Sequence, residues 1–114
     1  MSGLSVSDLP QRQSLSAITD AAGVCNVTFR VPGQVAWQVE QITIEMPNAP
    51  FGATARLEVN DSLVTPMIPN GDAAAGDPPL PVFPGDIVEV IWSGATPGEQ
   101  GRVLLIYRTA SYRR

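Results

Sequence analysis

The side chains best suited to chemistry lie in NGDAAAGDPPLPVFPGD, residues 70–86, where Asp72, Asp77 and Asp86 each follow a glycine. Three carboxylates close in sequence raise the question of a hard cation such as calcium, which takes roughly six to eight oxygen ligands. Their spacing does not fit: a calcium loop needs acidic residues at alternate positions and a closing glutamate. Aspartate and asparagine beside glycine are ordinary turn formers, because they tolerate positive φ and hydrogen-bond the local backbone. The Gly-Asp pairs therefore read as punctuation, and neither a metal site nor a cofactor is expected.

Other chemistries lack their parts. The chain contains no histidine, and all seven basic residues are arginine. That removes the usual general base, the commonest transition-metal ligand and Schiff-base lysines. Serines have no histidine partner and no GxSxG context, and no Gly-rich phosphate motif occurs. The acidic residues offer carboxylate pairs only by arithmetic, with no cleft implied to hold a glycoside between them. A non-enzymatic protein is expected. A net charge of −4 and the absence of a basic stripe argue against nucleic acid. Cys25 is the single cysteine and sits at an alternating position, which predicts a buried thiol. Two sequons, at Asn26 and Asn60, stand without a secretory signal and read as chance matches. No basic n-region followed by an apolar run opens the sequence, and no stretch approaches the ~20 apolar residues of a membrane-spanning helix. Assembly in a cytoplasm is the expectation.

The elements that carry these residues are short strands. GVCNVTFRV alternates Cys25, Val27, Phe29 and Val31 against polar neighbours, the period-two signature of a half-buried strand. In VAWQVEQITIEM the apolar residues Val35, Trp37 and Val39 share one parity, and Ile42, Ile44 and Met46 the other, which predicts a bulge near Glu40-Gln41. ATARLEV alternates again, and Asn60-Asp61 predicts a hairpin turn into SLVTPMI. Pro66 assigns that second arm to a sheet edge. DIVEVIW and RVLLIYRT follow, the latter apolar at consecutive positions, as expected of a central strand covered on both faces.

With turn signals every ~8–12 residues and no helical periodicity, the expectation is an all-β, antiparallel β-sandwich, jelly-roll or immunoglobulin-like, with an extended N-terminal arm. The divisions expected are an arm over 1–22, a sandwich over 23–109 and a tail over 110–114. The low charged fraction, 16%, agrees with surface covered by a partner. Leu4, Val6, Leu9 and Leu15 in the arm, with Tyr112, Arg113 and Arg114 in the tail, are the expected interface residues; an aromatic beside two arginines is interface composition. Docking is expected through 2–16 and 109–114. Exposed loops are expected over 69–82 and 93–101, carrying Asn70, Asp72, Asp77 and Glu99. Trp37 and Trp92, on apolar parities, are expected in the core and not on a sugar-stacking platform.

Over Ala55 to Arg108, the succession of VND, PNGD, PGD and WSGATPG resembles small β-sandwich structural proteins of tailed bacteriophages, particularly those infecting high-GC actinobacteria. The resemblance spans about half of the chain and rests on turn chemistry, so it transfers no catalytic or ligand residues. It implies a virion protein assembled in the host cytoplasm: a decoration or accessory protein of the capsid, neck or tail. Its implied partners are other virion proteins and copies of itself. The alternative it leaves open is a carbohydrate- or receptor-binding module of the phage tail, with a host surface glycan as ligand.

Overall fold

Alternation is converted directly into strands. The computed structural model describes residues 3–6, 10–33, 35–68 and 71–113, with backbone alone for 3–6, 67, 71–79 and 111–113. Its elements are β1 (Gly3–Val6), β2 (Gln11–Ile18), β3 (Cys25–Arg30), β4 (Ala36–Glu45), β5 (Thr54–Val59), β6 (Ser62–Met67), β7 (Gly71–Val82), β8 (Ile87–Ser93) and β9 (Gln100–Arg113). Among the described residues there is no helix.

Two antiparallel sheets pack face to face. One has the order β1-β9-β4-β7, with β2 also pairing β9; the other has the order β3-β8-β5-β6. β1 and β2 lie end to end along one side of β9, β1 opposite 110–113 and β2 opposite 100–107. Five strands thus fill four positions in the first sheet. The chain switches sheets at every step from β2 to β9 except between β5 and β6, the connectivity of a jelly roll. The core lies between the sheets and includes Cys25, Val27, Phe29, Leu57, Val88, Val90 and Trp92 from one, and Trp37, Val39, Ile42, Ile44, Val103, Leu105 and Tyr107 from the other. Trp37 stacks on Tyr107 with ring centroids 4.1 Å apart, and both Trp37 and Trp92 are buried, so neither tryptophan is available to a ligand at the surface.

The parity change in β4 is a bulge where expected. Val39 faces Tyr107 and Gln41 faces Ile106, so Glu40 is an extra residue on β4. The bulge lets Trp37 and Val39 share an inner face with Ile42 and Ile44, and turns Glu40 outward to accept a hydrogen bond from Arg108 Nε at 2.8 Å. Asn60 and Asp61 have φ of 50° and 66°, as the predicted hairpin turn requires. Pro66 lies on β6 at the sheet edge, where a strand hydrogen-bonds on one side only and a missing donor is tolerated.

Three expectations need correction. The loop expected over 69–82 is largely strand: β7 spans Gly71–Val82 and pairs with β4, placing Asp72 opposite Thr43. Its glycines and prolines are accommodated because β7 is an edge and its register slips. Five steps of β7, from Ala75 to Leu80, run opposite two steps of β4, from Val39 to Gln41, leaving 76–79 as a bulge that contains Asp77. Second, the arm expected over 1–22 is extended, but 11–18 belong to the sheet, since β2 pairs with β9 without interruption over eight residues. Third, β9 buries one face. Val103, Leu105 and Tyr107 point inward, whereas Leu104 and Ile106 are half-buried on the outer face.

Candidate functional site

The sandwich has two unlike ends. At one, the turns over 31–33, 60–61 and 83–86 meet β1 and the end of β9; at the other lie the loops over 19–24, 46–53 and 94–99.

At the first end, β9 outruns its neighbour β4. The last residue of β9 opposite β4 is Ala110, which pairs with Ala36. Ser111, Tyr112 and Arg113 pair with Ser5, Leu4 and Gly3 of β1. The N-terminal and C-terminal segments therefore leave the sandwich as one two-stranded ribbon. Its three residue steps past Ala110 extend it by about 10 Å at ~3.3 Å per residue. The molecule is correspondingly long, with extents of 52 × 22 × 20 Å. Of the expected interface residues, Leu4 is brought directly opposite Tyr112, and Val6 opposite Ala110. Leu15 lies elsewhere, on β2 opposite Val103. Leu9 and Arg114 lie outside the described residues, as does Asn70 of the expected loop.

The turns at this end form one hydrogen-bonded corner. Asp86 Oδ1 accepts from Asn60 Nδ2 at 2.9 Å, and its Oδ2 accepts from the Phe83 N–H at 2.8 Å. Asn60 Oδ1 accepts from the Ile87 N–H at 2.9 Å. The Val31 N–H donates to the Asp86 carbonyl, and the Gly85 N–H to the Val31 carbonyl. The VND and PGD motifs thus act on each other: one carboxylate of the three Gly-Asp pairs closes turns, with both oxygens engaged. Gly85 takes φ +85 at the third position of that turn, where a side chain is strained. Phe83 and Leu63 stand exposed beside the corner.

At the opposite end, Glu45 and Arg102 are cross-strand partners on the outer face of the first sheet. They border two adjoining depressions. One, of about 180 Å³, is lined by Ser14, Thr43, Glu45, Arg102 and Leu104; the other, of about 250 Å³, is lined by Glu45, Pro47, Asn48, Glu99, Gln100 and Arg102. Apart from Leu104 and Pro47, these side chains are hydrogen-bonding groups with both signs of charge, and both depressions are open to solvent. Phe51 is fully exposed on the 46–53 loop, and Ile18 and Ile68 are exposed at the same end. The sequence reading missed these three apolar residues. Ile18 was legible as the residue of β2 whose parity opposes that of Leu15, and Phe51 sits between Pro50 and Gly52, where no strand could bury it.

The second expected loop, over 93–101, is more enclosed than its composition implies. Ala95 is buried with its N–H on the Gly23 carbonyl, and Gln100 and Gly101 already belong to β9. Glu99 is half-buried, its carbonyl accepting from both the backbone N–H and the hydroxyl of Thr19, at 2.8 and 2.9 Å.

Beneath this end Cys25 is fully buried and donates weakly to the Ala17 carbonyl at 3.5 Å. Burial pushes its thiol up, against the opposing pull of hydrogen bonds from the Gly101 backbone and the Thr19 side chain. A thiol so held is a packing group, as its alternating position predicted. Among the described residues, no three histidine, cysteine, aspartate or glutamate side chains are grouped to hold a metal ion. Compared with known proteins, the chain matches no family model and no curated sequence.

Proposed function

We propose that the protein is a non-enzymatic structural component of a tailed-phage virion, a decoration or accessory protein of the head or head–tail region that docks through its terminal segments. The observation that carries this reading is the pairing of β1 with the end of β9, which unites the arm and tail residues in one projecting ribbon. A two-stranded ribbon with its own backbone edges can add to a neighbour's sheet or lie in a groove between subunits. Its partners are other virion proteins and copies of itself, and its setting is the particle assembled in the host cytoplasm. Modest affinity per copy is enough, because symmetry-related sites and multiple contacts sum. The jelly roll agrees with this, since the fold recurs in viral capsid domains.

Deleting residues 1–8 removes β1 and spares β2, so the sandwich should melt as the intact chain does while incorporation into purified particles is lost. Wild-type copy number with the truncated, folded chain overturns ribbon docking. Absence of the intact protein from particles overturns the virion reading itself.

A second reading, a carbohydrate-binding module, has its own observation in the polar depressions around Glu45, Asn48, Glu99 and Arg102, with Phe51 exposed on the same loop as Asn48. Specific glycan-array binding that disappears with Arg102→Ala and Asn48→Ala would favour it over passive docking.

A further inference from the structure

β2 is the longest strand edge without protection. β7 carries Pro78, Pro79, Pro81 and two register shifts; β6 carries Pro66 and one shift; β3 is only six residues long. β2 has no proline, no shift and one charged residue, Arg12, in eight. Proteins ordinarily blunt such an edge, because its unpaired N–H and C=O groups template another strand.

Which groups are free follows from the ladder. The Thr19 N–H donates to the Glu99 carbonyl, toward β9. Backbone groups alternate sides along an antiparallel strand, so Ala17, Leu15, Gln13 and Gln11 also turn toward β9. Arg12, Ser14, Ser16 and Ile18 present their donors and acceptors to solvent.

We propose that this edge pairs antiparallel with the same edge of a second copy, fusing the two first sheets across a two-fold axis. The proposal is independent of the virion reading and stands or falls in purified solution. A two-fold perpendicular to the sheet keeps both inner faces on one side only if residues of the same parity meet. With the axis at Leu15, Ser14 opposes Ser16, Gln13 opposes Ala17 and Arg12 opposes Ile18, and every solvent-facing backbone group of 12–18 finds a partner. The strand's only charge meets an apolar residue, not its like. Leu15 has inner-face parity yet is 40% exposed at the rim, and in this register it meets Leu15 of the second copy. That is a site without hydrogen bonds, where Cα atoms approach to about 4.5 Å and side chains are closest. Moving the axis to Ser14 would set Gln13 against Leu15 and lose that contact. The strand is its own complement, and a second copy is the occupant it fits.

Sedimentation equilibrium over a concentration series should give the native chain a mass of twice its 12.1 kDa. Ser14→Pro removes a solvent-facing donor and no bond to β9, so it should give a folded monomer, judged by an unchanged far-UV spectrum. Leu15→Cys should form a disulfide-linked dimer with diamide as oxidant, since the Cα spacing lies within the ~4.4–6.8 Å range of disulfides and buried Cys25 does not compete. A native chain that stays monomeric overturns the proposal, including the case in which the edge takes a foreign strand. A dimer that survives in folded Ser14→Pro also overturns it. If Ser14→Pro unfolds, Leu15→Cys decides, and failure to cross-link is the overturning result.

Discussion

The two flanks of the sandwich manage the same hazard in opposite ways. On one flank, β6 and β7 are broken by prolines, and their registers slip at Val64 and over 76–79. On the other, β2 runs against β9 in unbroken register over a β3 that alternates cleanly between buried and exposed. The irregular flank repels an added strand, while the regular flank keeps a template open. Regularity at an edge is therefore informative, since a strand loses nothing in its own sheet by being blunted and here only one flank has been.

The largest expected effects test whether the open flank is firmly built. Trp92, fully buried, pairs with Cys25 directly beneath β2, and a Cβ on Gly101 would sit 2.9 Å from both Cys25 Sγ and the Trp92 ring. Trp92→Ala should cost about 3–5 kcal/mol by the usual penalty for deleting a buried aromatic. Gly101→Ala should cost about 1–3 kcal/mol by overpacking, both read from urea unfolding. Negligible losses would mean that the open flank is loose, and that its regular edge is no designed feature. On the turn corner, Asn60→Ala gives up two side-chain hydrogen bonds and puts alanine at positive φ. A cost of about 1–2 kcal/mol is expected, smaller than that of Trp92 because these bonds are solvent-exposed.

What could be read in advance follows the range of the interactions. Cys25, Val27 and Phe29 declared β3 by their spacing, and the parity break at Glu40 declared a bulge, because side-chain alternation is a local rule. Asn60-Asp61 and Pro66 were legible for the same reason. β7 was not. Its composition says turn, and only the neighbouring β4 makes a strand of it, through pairings about thirty residues distant such as Thr43 with Asp72. Leu104 and Ile106 misled because consecutive apolar residues signal two covered faces, whereas this sheet leaves them half-open, Leu104 between Ser14 and Thr43 and Ile106 between Arg12 and Gln41. The arm and tail were each marked by composition. Their union into a ribbon is a matter of register between residues 3 and 113, which no local pattern encodes.

A subtler probe of the open flank is its pH dependence in alkali. The Cys25 thiol is pushed above its ordinary value of 9.0 by burial, so the folded state resists ionisation that the unfolded chain undergoes freely. Above that ordinary value the unfolded state binds fewer protons than the folded one, and stability falls as pH rises, by at most about 1.4 kcal/mol per pH unit. Below it Cys25 contributes no slope. Unfolding free energies measured from pH 8 to pH 10 should decline more steeply for the native chain than for Cys25→Ala; equal slopes would mean that the thiol is hydrated in the fold.

The smallest change in stability breaks the comparison most directly. Pro66 stands on the outer edge of β6 opposite Arg56, and Pro66→Thr exchanges a missing donor for a residue that suits a strand. The stability change should stay within about 0.5 kcal/mol, since the strand scale as a whole spans only ~1 kcal/mol. The consequence lies in association: β6 would gain a free N–H next to exposed Leu63 and Val64. In a Ser14→Pro background, where the β2 edge is closed, Pro66→Thr should restore concentration-dependent self-association in sedimentation experiments. A monomer would transfer the guarding role from the proline to the bulge at Val64, because that extra residue still twists the edge away from an incoming strand. Restoring both Pro66→Thr and regular register, by deleting Val64, would then be needed to open the flank.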